Sequence, residues 1–180
     1  AGRRKLKEGD IVSVGCGTVF EGYVGDAAFT AEVGEVSEAA HKLVQTTEGA
    51  LFAGIEQMVA GNHIGDVSAA IQNYAESRGF HVTREYTGHG VGRAMHEGPQ
   101  TPNYGVPGRG ILLRAGMTIA LEPMLLVGTP YTRVLPDQWT VSSSDGSLTA
   151  HFEHTVAVTE NGPLILTTQG DGSVLDGMWK

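Results

Sequence analysis

Apolar positions along this chain follow two periods, and the change from one to the other divides it into segments. From Ser37 onward, Ala40, Leu43, Val44, Thr47, Leu51, Ile55, Met58 and Val59 recur at three- and four-residue intervals. That spacing predicts a long amphipathic helix with Ser37 as its N-cap and Gly61 beyond its end. A second helix is expected from near Asp66, burying Ala70, Ile71, Tyr74 and Ala75 and stopping at Gly79. Before the helices, Ile11 to Val14 and Gly17 to Phe20 read as a strand that turns at Glu21-Gly22 and returns from Tyr23 to Thr30. After them, residues 81–86, 118–121, 152–159 and 164–166 are strand candidates, with Gly- and Pro-rich loops at 98–110 and 128–147. Strands, then two helices, then strands again predict an α+β fold with a mostly antiparallel sheet and covering helices. No linker or low-complexity stretch interrupts the chain, so residues 1–180 are read as a single domain.

Composition narrows the function classes. With 41% hydrophobic and only 18% charged residues over 180 positions, the chain can bury a core and is not of the disordered class. No apolar run approaches the roughly 20 residues of a membrane span, so no membrane role is expected. The single cysteine, Cys16, excludes an intrachain disulfide and fits a reducing compartment. Together with the lack of a cationic, apolar leader, this predicts a cytoplasmic protein. A formal net charge of -8 disfavours binding to a phosphate backbone, and no nucleic-acid partner is expected. Arg3, Arg4, Lys5 and Lys7 read as a solvated terminus.

The candidate chemistry lies in five residues: Asp26, His89, His96, Glu122 and Glu153. His89 sits in Gly88-His89-Gly90-Val91-Gly92, Glu122 in Ile119-Ala120-Leu121-Glu122-Pro123-Met124, and Glu153 in His151-Phe152-Glu153-His154-Thr155-Val156. An ionised carboxylate out of water is costly unless a cation or hydrogen-bond donors compensate it, so acids within strand-like apolar runs point to a bound ion. Carboxylates with imidazole and no thiolate suit a divalent first-row metal: manganese, iron, cobalt or zinc. Alternation along the last strand places His151, Glu153 and Thr155 on one face and His154 on the other, which favours Glu153 as the ligand. Taken singly, each residue also has an ordinary reading. Gly88-His89-Gly90 serves as a turn, Trp139 as a packing anchor, and Met95 and Met124 as core filler. His41, His63, His81, Tyr104, Arg109 and Asp145 are assigned no function.

Taken jointly, Gly88 to Arg93, Met95-His96-Glu97, Glu122-Pro123-Met124 and Glu153 to Val156 resemble the signatures of type I methionine aminopeptidases, which are pita-bread metallopeptidases. The resemblance runs from about Gly9 to Thr167. It implies the pita-bread, creatinase/aminopeptidase-like fold and a hydrolase that removes the amino-terminal methionine from peptides and nascent proteins by metal-activated hydroxide. It also implies Asp26, His89, Glu122 and Glu153 as metal ligands and Glu122 as the proton shuttle. His96 would be a catalytic donor to the oxyanion, and Met95, Trp139 and Met124 would line the methionine pocket. Peptide and nascent-protein amino termini are the implied partners.

Two departures stand against the family pattern. Eleven residues before Asp26 the family has a further ligand aspartate, and here Gly15 stands in Ser13-Val14-Gly15-Cys16-Gly17. One metal site is therefore expected to persist and a second to be weakened, with impaired activity. Cys16 faces the wrong side of the strand to substitute, and Ser13 is a poor ligand. The family also has a further amino-terminal portion, whose absence here predicts exposed apolar surface and self-association. The alternative function is a catalytically inactive pita-bread module that binds polypeptide ends; a proline-directed peptidase is a third reading.

Overall fold

The computed structural model describes residues 3–168. Strands β1 (Ile11–Phe20) and β2 (Tyr23–Glu32) form the predicted hairpin, in strict antiparallel register from Ile11↔Glu32 to Phe20↔Tyr23. Helix α1 (Glu38–Ile55) follows, and the Ser37 hydroxyl accepts the Ala40 N–H as the expected N-cap. The helix ends earlier than the periodicity implies. The N–H groups of Gln57 and Met58 bond three residues back, to Gly54 and Ile55, so the last turn tightens. Met58 is thereby tucked into the core while Val59, expected inside, is 38% exposed.

Helix α2 (Ile64–Glu76) starts two residues before Asp66. Asp66 is the third helical residue, and its carboxylate accepts the N–H of His63. Val67 and Ile71 are fully buried and Ala70 only half-buried, so the inward stripe is rotated slightly from the one expected.

The remaining strands are β3 (His81–Val82), β4 (Thr87–Gly90), β5 (Glu97–Pro102), β6 (Thr118–Leu121), β7 (Met124–Leu126), β8 (Thr132–Val134), β9 (Val141–Ser143), β10 (Thr149–His151), β11 (Glu153–Thr159) and β12 (Gly162–Ile165). The principal sheet runs β1-β2-β11-β6-β4-β5, with β12 also paired to β11, and all its pairings are antiparallel. A second sheet, β10-β7-β3, continues around it, and β8 and β9 form a separate hairpin. Both segments expected to be loops thus contain strands. β5 was hidden by Gly98, Pro99 and Pro102, and it lies at the sheet edge, where proline is tolerated. Leu43, Leu51, Met58, Ile71, Ile119, Leu121, Leu125 and Val156 join the two helices to the sheets in one core. Among the described residues, no helix is long and apolar enough to cross a membrane.

Candidate metal centre

Strand register brings the distant acids together. Ala28 pairs with both Gly15 and Glu153, so these three positions form one row across the sheet. Asp26 is two residues along from Ala28, on the same face. In the neighbouring strands Ala120 pairs with both Thr155 and His89, and Glu122 follows Ala120 by two residues. Asp26, His89 and Glu153 accordingly offer ligand atoms within 4.8 Å of one another. Glu122 joins them, with its Oε1 3.3 Å from His89 Nε2.

The glycines around His89 have a packing reason. A Cβ on Gly88 would meet the Ala120 carbonyl oxygen, and one on Gly90 would meet the Gly98 backbone. Only glycine lets β5 and β6 close on β4 from both sides. The Gly90 carbonyl lies 3.0 Å from His89 Nδ1, which makes Nδ1 the N–H donor. The Nε2 lone pair is left facing the carboxylates.

Two further residues hold the backbone of candidate ligands, and a third braces the turn beside them. The Thr155 hydroxyl accepts the Asp26 N–H at 2.9 Å and donates to the Asp26 carbonyl at 2.8 Å. Asn103 Nδ2 donates to the Glu122 carbonyl at 3.2 Å. Glu97 accepts the Ala94 N–H at 2.8 Å, bracing the turn that carries Met95 and His96. Thr155 and Glu97 lie within the quoted signatures and Asn103 lies outside them, but no sequence pattern links any of the three to the backbone it holds.

The electrostatics match an ion site. Burial, then the charges of Glu153 and Asp26, push the Glu122 carboxyl up to about 8. Asp26 is also raised, first by burial and then by Glu153, with His89, the Ala27 N–H and His96 pulling it back. Such crowded, desolvated carboxylates are what a divalent cation relieves, and the oxygen and imidazole donors fit one. Asp26, His89, Glu122 and Glu153 would hold it.

Around this group is a cavity of about 310 Å³ lined by Tyr86, His89, His96, Gln100, Glu122 and Met124, among others. The His96 ring stacks at an angle on His89, 4.4 Å between centroids. Met95 lies across Gly17, beside Asp26. Trp139 is set apart from the cavity lining: it stands 88% exposed in the β8–β9 turn, where Asp137 accepts its N–H. Cys16 pairs with Ala27, one position out of the ligand row, and is exposed. The Ser13 hydroxyl is engaged with that of Thr30 at 2.8 Å. His154 lies on the helix side, hydrogen-bonded to Thr167 at 2.8 Å and tilted against Phe52, and burial lowers its pKa.

Comparison with solved structures defines the class. The methionine aminopeptidase of Thermotoga maritima superposes with a TM-score of 0.89 at 52% identity, covering 91% of this chain and 66% of that one. The prolidase of Pyrococcus furiosus, at 23% identity and a TM-score of 0.74, shares the fold. The curled antiparallel sheet backed by helices is therefore the pita-bread fold of the metallopeptidases. The family model of metallopeptidase family M24 matches residues 1–160, and the chain belongs to that family. It is 53% identical to the methionine aminopeptidase of Clostridium acetobutylicum over 91% of its own length and 66% of that protein's. It is 48% identical to methionine aminopeptidase 1 of Bacillus subtilis, over 92% and 67% respectively. The chain thus spans about two thirds of the relatives it matches.

Proposed function

We propose that this chain carries the hydrolytic centre of a methionine aminopeptidase, acting on the amino termini of peptides and nascent proteins, with one firm metal site and a weakened second one. The gathering of Asp26, His89 and Glu153 within 4.8 Å, with Glu122 against His89, carries this reading. When bound, a divalent cation of the manganese, iron, cobalt or zinc class polarises a peptide carbonyl and lowers the pKa of water toward neutrality. The chain's own residues supply the rest. Glu122, with its carboxylate beside His89 at the cavity wall, is placed to take the proton of the attacking water and return it to the leaving amine once a bound cation has offset the burial and neighbouring charges that hold it protonated in the metal-free chain. His96, at the cavity wall beside His89, is placed to donate to the developing oxyanion, a contribution of about 3 kcal/mol for one good donor.

Met95 and Met124 provide soft apolar surface for a methionine side chain, Met95 over Gly17 and Met124 in the cavity wall. Trp139, exposed in the β8–β9 turn, belongs to the same pocket in this reading. A second cavity of about 280 Å³ shares Tyr86 and Met124 with the first and, in this reading, takes the downstream peptide. Gly15 lies in the row with Ala28 and Glu153 and offers no ligand, which is the support for a weakened second site and impaired turnover. The setting is cytoplasmic in this reading, consistent with Cys16 as a free thiol. Val14, Val19, Phe20 and Tyr23 are exposed on the hairpin and would drive self-association, to be seen as an apparent mass above the monomer in size-exclusion chromatography.

The inactive peptide-end binder is the second reading, favoured by Gly15. Methionine release from Met-Ala-Ser with manganese, set beside an Xaa-Pro peptide, tests the choice. Release from the first peptide only is expected. Binding of Met-Ala-Ser without release, by this chain and by Gly15→Asp alike, would favour the binder, and cleavage of Xaa-Pro alone would favour a proline-directed peptidase.

A further inference from the structure

Strand β1 forms an edge of the principal sheet, and among the described residues no strand pairs with its outer side. It keeps an unbroken register with β2 from Ile11 to Phe20 and includes no charged residue and no proline. Natural edges are usually guarded by such residues or by a bulge, because an open edge accepts another strand. Which backbone groups face outward can be read from β2. The Val24 N–H donates to the Gly92 carbonyl at 2.7 Å and the Asp26 N–H to the Thr155 hydroxyl at 2.9 Å, both away from β1. Tyr23, Gly25 and Ala27 therefore turn their N–H and C=O groups toward β1, where they meet Phe20, Thr18 and Cys16. Alternation leaves the N–H and C=O groups of Ser13, Gly15, Gly17 and Val19 pointing outward.

We infer that this edge pairs with the same edge of a second copy of the chain, antiparallel across a twofold axis at Cys16. The inference rests on the self-association reading above and gives it a strand and a register. An antiparallel pairing of identical strands is self-complementary, as a twofold interface must be. Outward groups have to meet outward groups, so the open registers differ by two residues. With Cys16 opposite Cys16, Ser13 bonds to Val19 and Gly15 to Gly17 of the other copy. Val12 then faces Phe20 and Val14 faces Thr18, all on the side of the sheet away from Asp26, which pairs with Gly17. Phe20, 75% exposed in the single chain, and Val14, 43% exposed, both gain cross-strand neighbours. Sliding one step in one direction sets Phe20 against Asp10, and in the other sets Val12 against Gly22 in the turn. The charge balance agrees, because a chain of net charge -8 can bring two copies together along this uncharged strand without opposing like charges.

Sedimentation velocity of the reduced whole chain, followed by thiol cross-linking of the same samples, tests this. A dimer is expected, and Cys16→Lys, which sets two cations face to face on the axis, should weaken it at least about tenfold while circular dichroism stays native. Diamide, reduced as it takes the two thiol hydrogens, should join the two Cys16 sulfurs. Residues so paired lie about 4.5 Å apart at Cα, within the span of a disulfide. Cys16→Ser combined with Thr18→Cys moves the two thiols about 14 Å apart along the strands and should leave the dimer unlinked. Mixed with Cys16→Ser combined with Val14→Cys, it should link again. Cys16→Lys as strongly associated as the parent would overturn the edge pairing and spare the self-association reading. Equal linking through positions 16 and 18 would overturn the register and the pairing with it. A monomer at every concentration would overturn both readings and leave the edge to an extended segment of another polypeptide.

Discussion

Strands β11 and β1 belong to one sheet and contribute to one face, yet their surroundings are opposite. In β11, Glu153 to Val156 are all buried, with the helices behind them and β2 and β6 on either side. In β1, a strand of the same sheet with β2 on one side only, the eight residues from Ser13 to Phe20 are all exposed. The difference teaches where the candidate metal centre gets its chemistry. His89, Glu122 and Glu153 come from the enclosed side, where desolvation makes a carboxylate demand a partner. Asp26 and the Gly15 position come from the open hairpin, where that demand is weaker. Glu122 and His89 on the enclosed side are held by Asn103 and the Gly90 carbonyl, and Thr155 reaches from that side to the Asp26 backbone, whereas a substitution on the hairpin, such as glycine at position 15, disturbs no packing.

The largest expected effect breaks the enclosed side. Glu122→Gln removes the proton carrier, and methionine release should fall by about 10²-fold or more. Unchanged release would mean that another base serves. Next, Leu51→Ala opens a cavity under the sheet and should cost about 3 kcal/mol in urea unfolding, while Val14→Ser on the open hairpin should stay within about 0.5 kcal/mol. Equal costs would erase the contrast between the two sides.

These two substitutions also mark what the sequence could show. Leu51 was legible because helical periodicity reports burial directly, and both helices and the β1–β2 hairpin were anticipated. The acids that cluster with His89 stood out as candidates because polar groups within apolar runs are costly without a partner. Val59 was misplaced because the tightened turn after Ile55 follows from backbone hydrogen bonds rather than from side-chain period. β5 and the β8–β9 hairpin were missed because proline and glycine at an edge look like a loop. Thr155 and Asn103 could not be foreseen as ligand supports, since their role depends on strands that meet only in three dimensions.

A smaller effect sharpens the boundary between the sides. Thr155→Val removes both hydrogen bonds to the Asp26 backbone and should weaken metal binding about tenfold, with stability measured alongside. An unchanged affinity would mean that the hairpin holds Asp26 unaided.

The pH dependence is subtler. In the metal-free chain Glu122 is raised from 4.5 to about 8, so between those values the folded state holds more protons than the unfolded one. Stability should therefore fall as pH rises through that window, and Glu122→Gln should flatten the slope. Denaturant midpoints at successive pH values would show it. A slope as steep in Glu122→Gln as in the parent chain would place the perturbed proton elsewhere.

The most direct test of the central claim is calorimetric titration of this chain with manganese in chloride, alongside His89→Ala. The account predicts one firm equivalent for the chain and its loss in His89→Ala while circular dichroism stays native. No binding by the folded chain, or undiminished binding by His89→Ala, would contradict it.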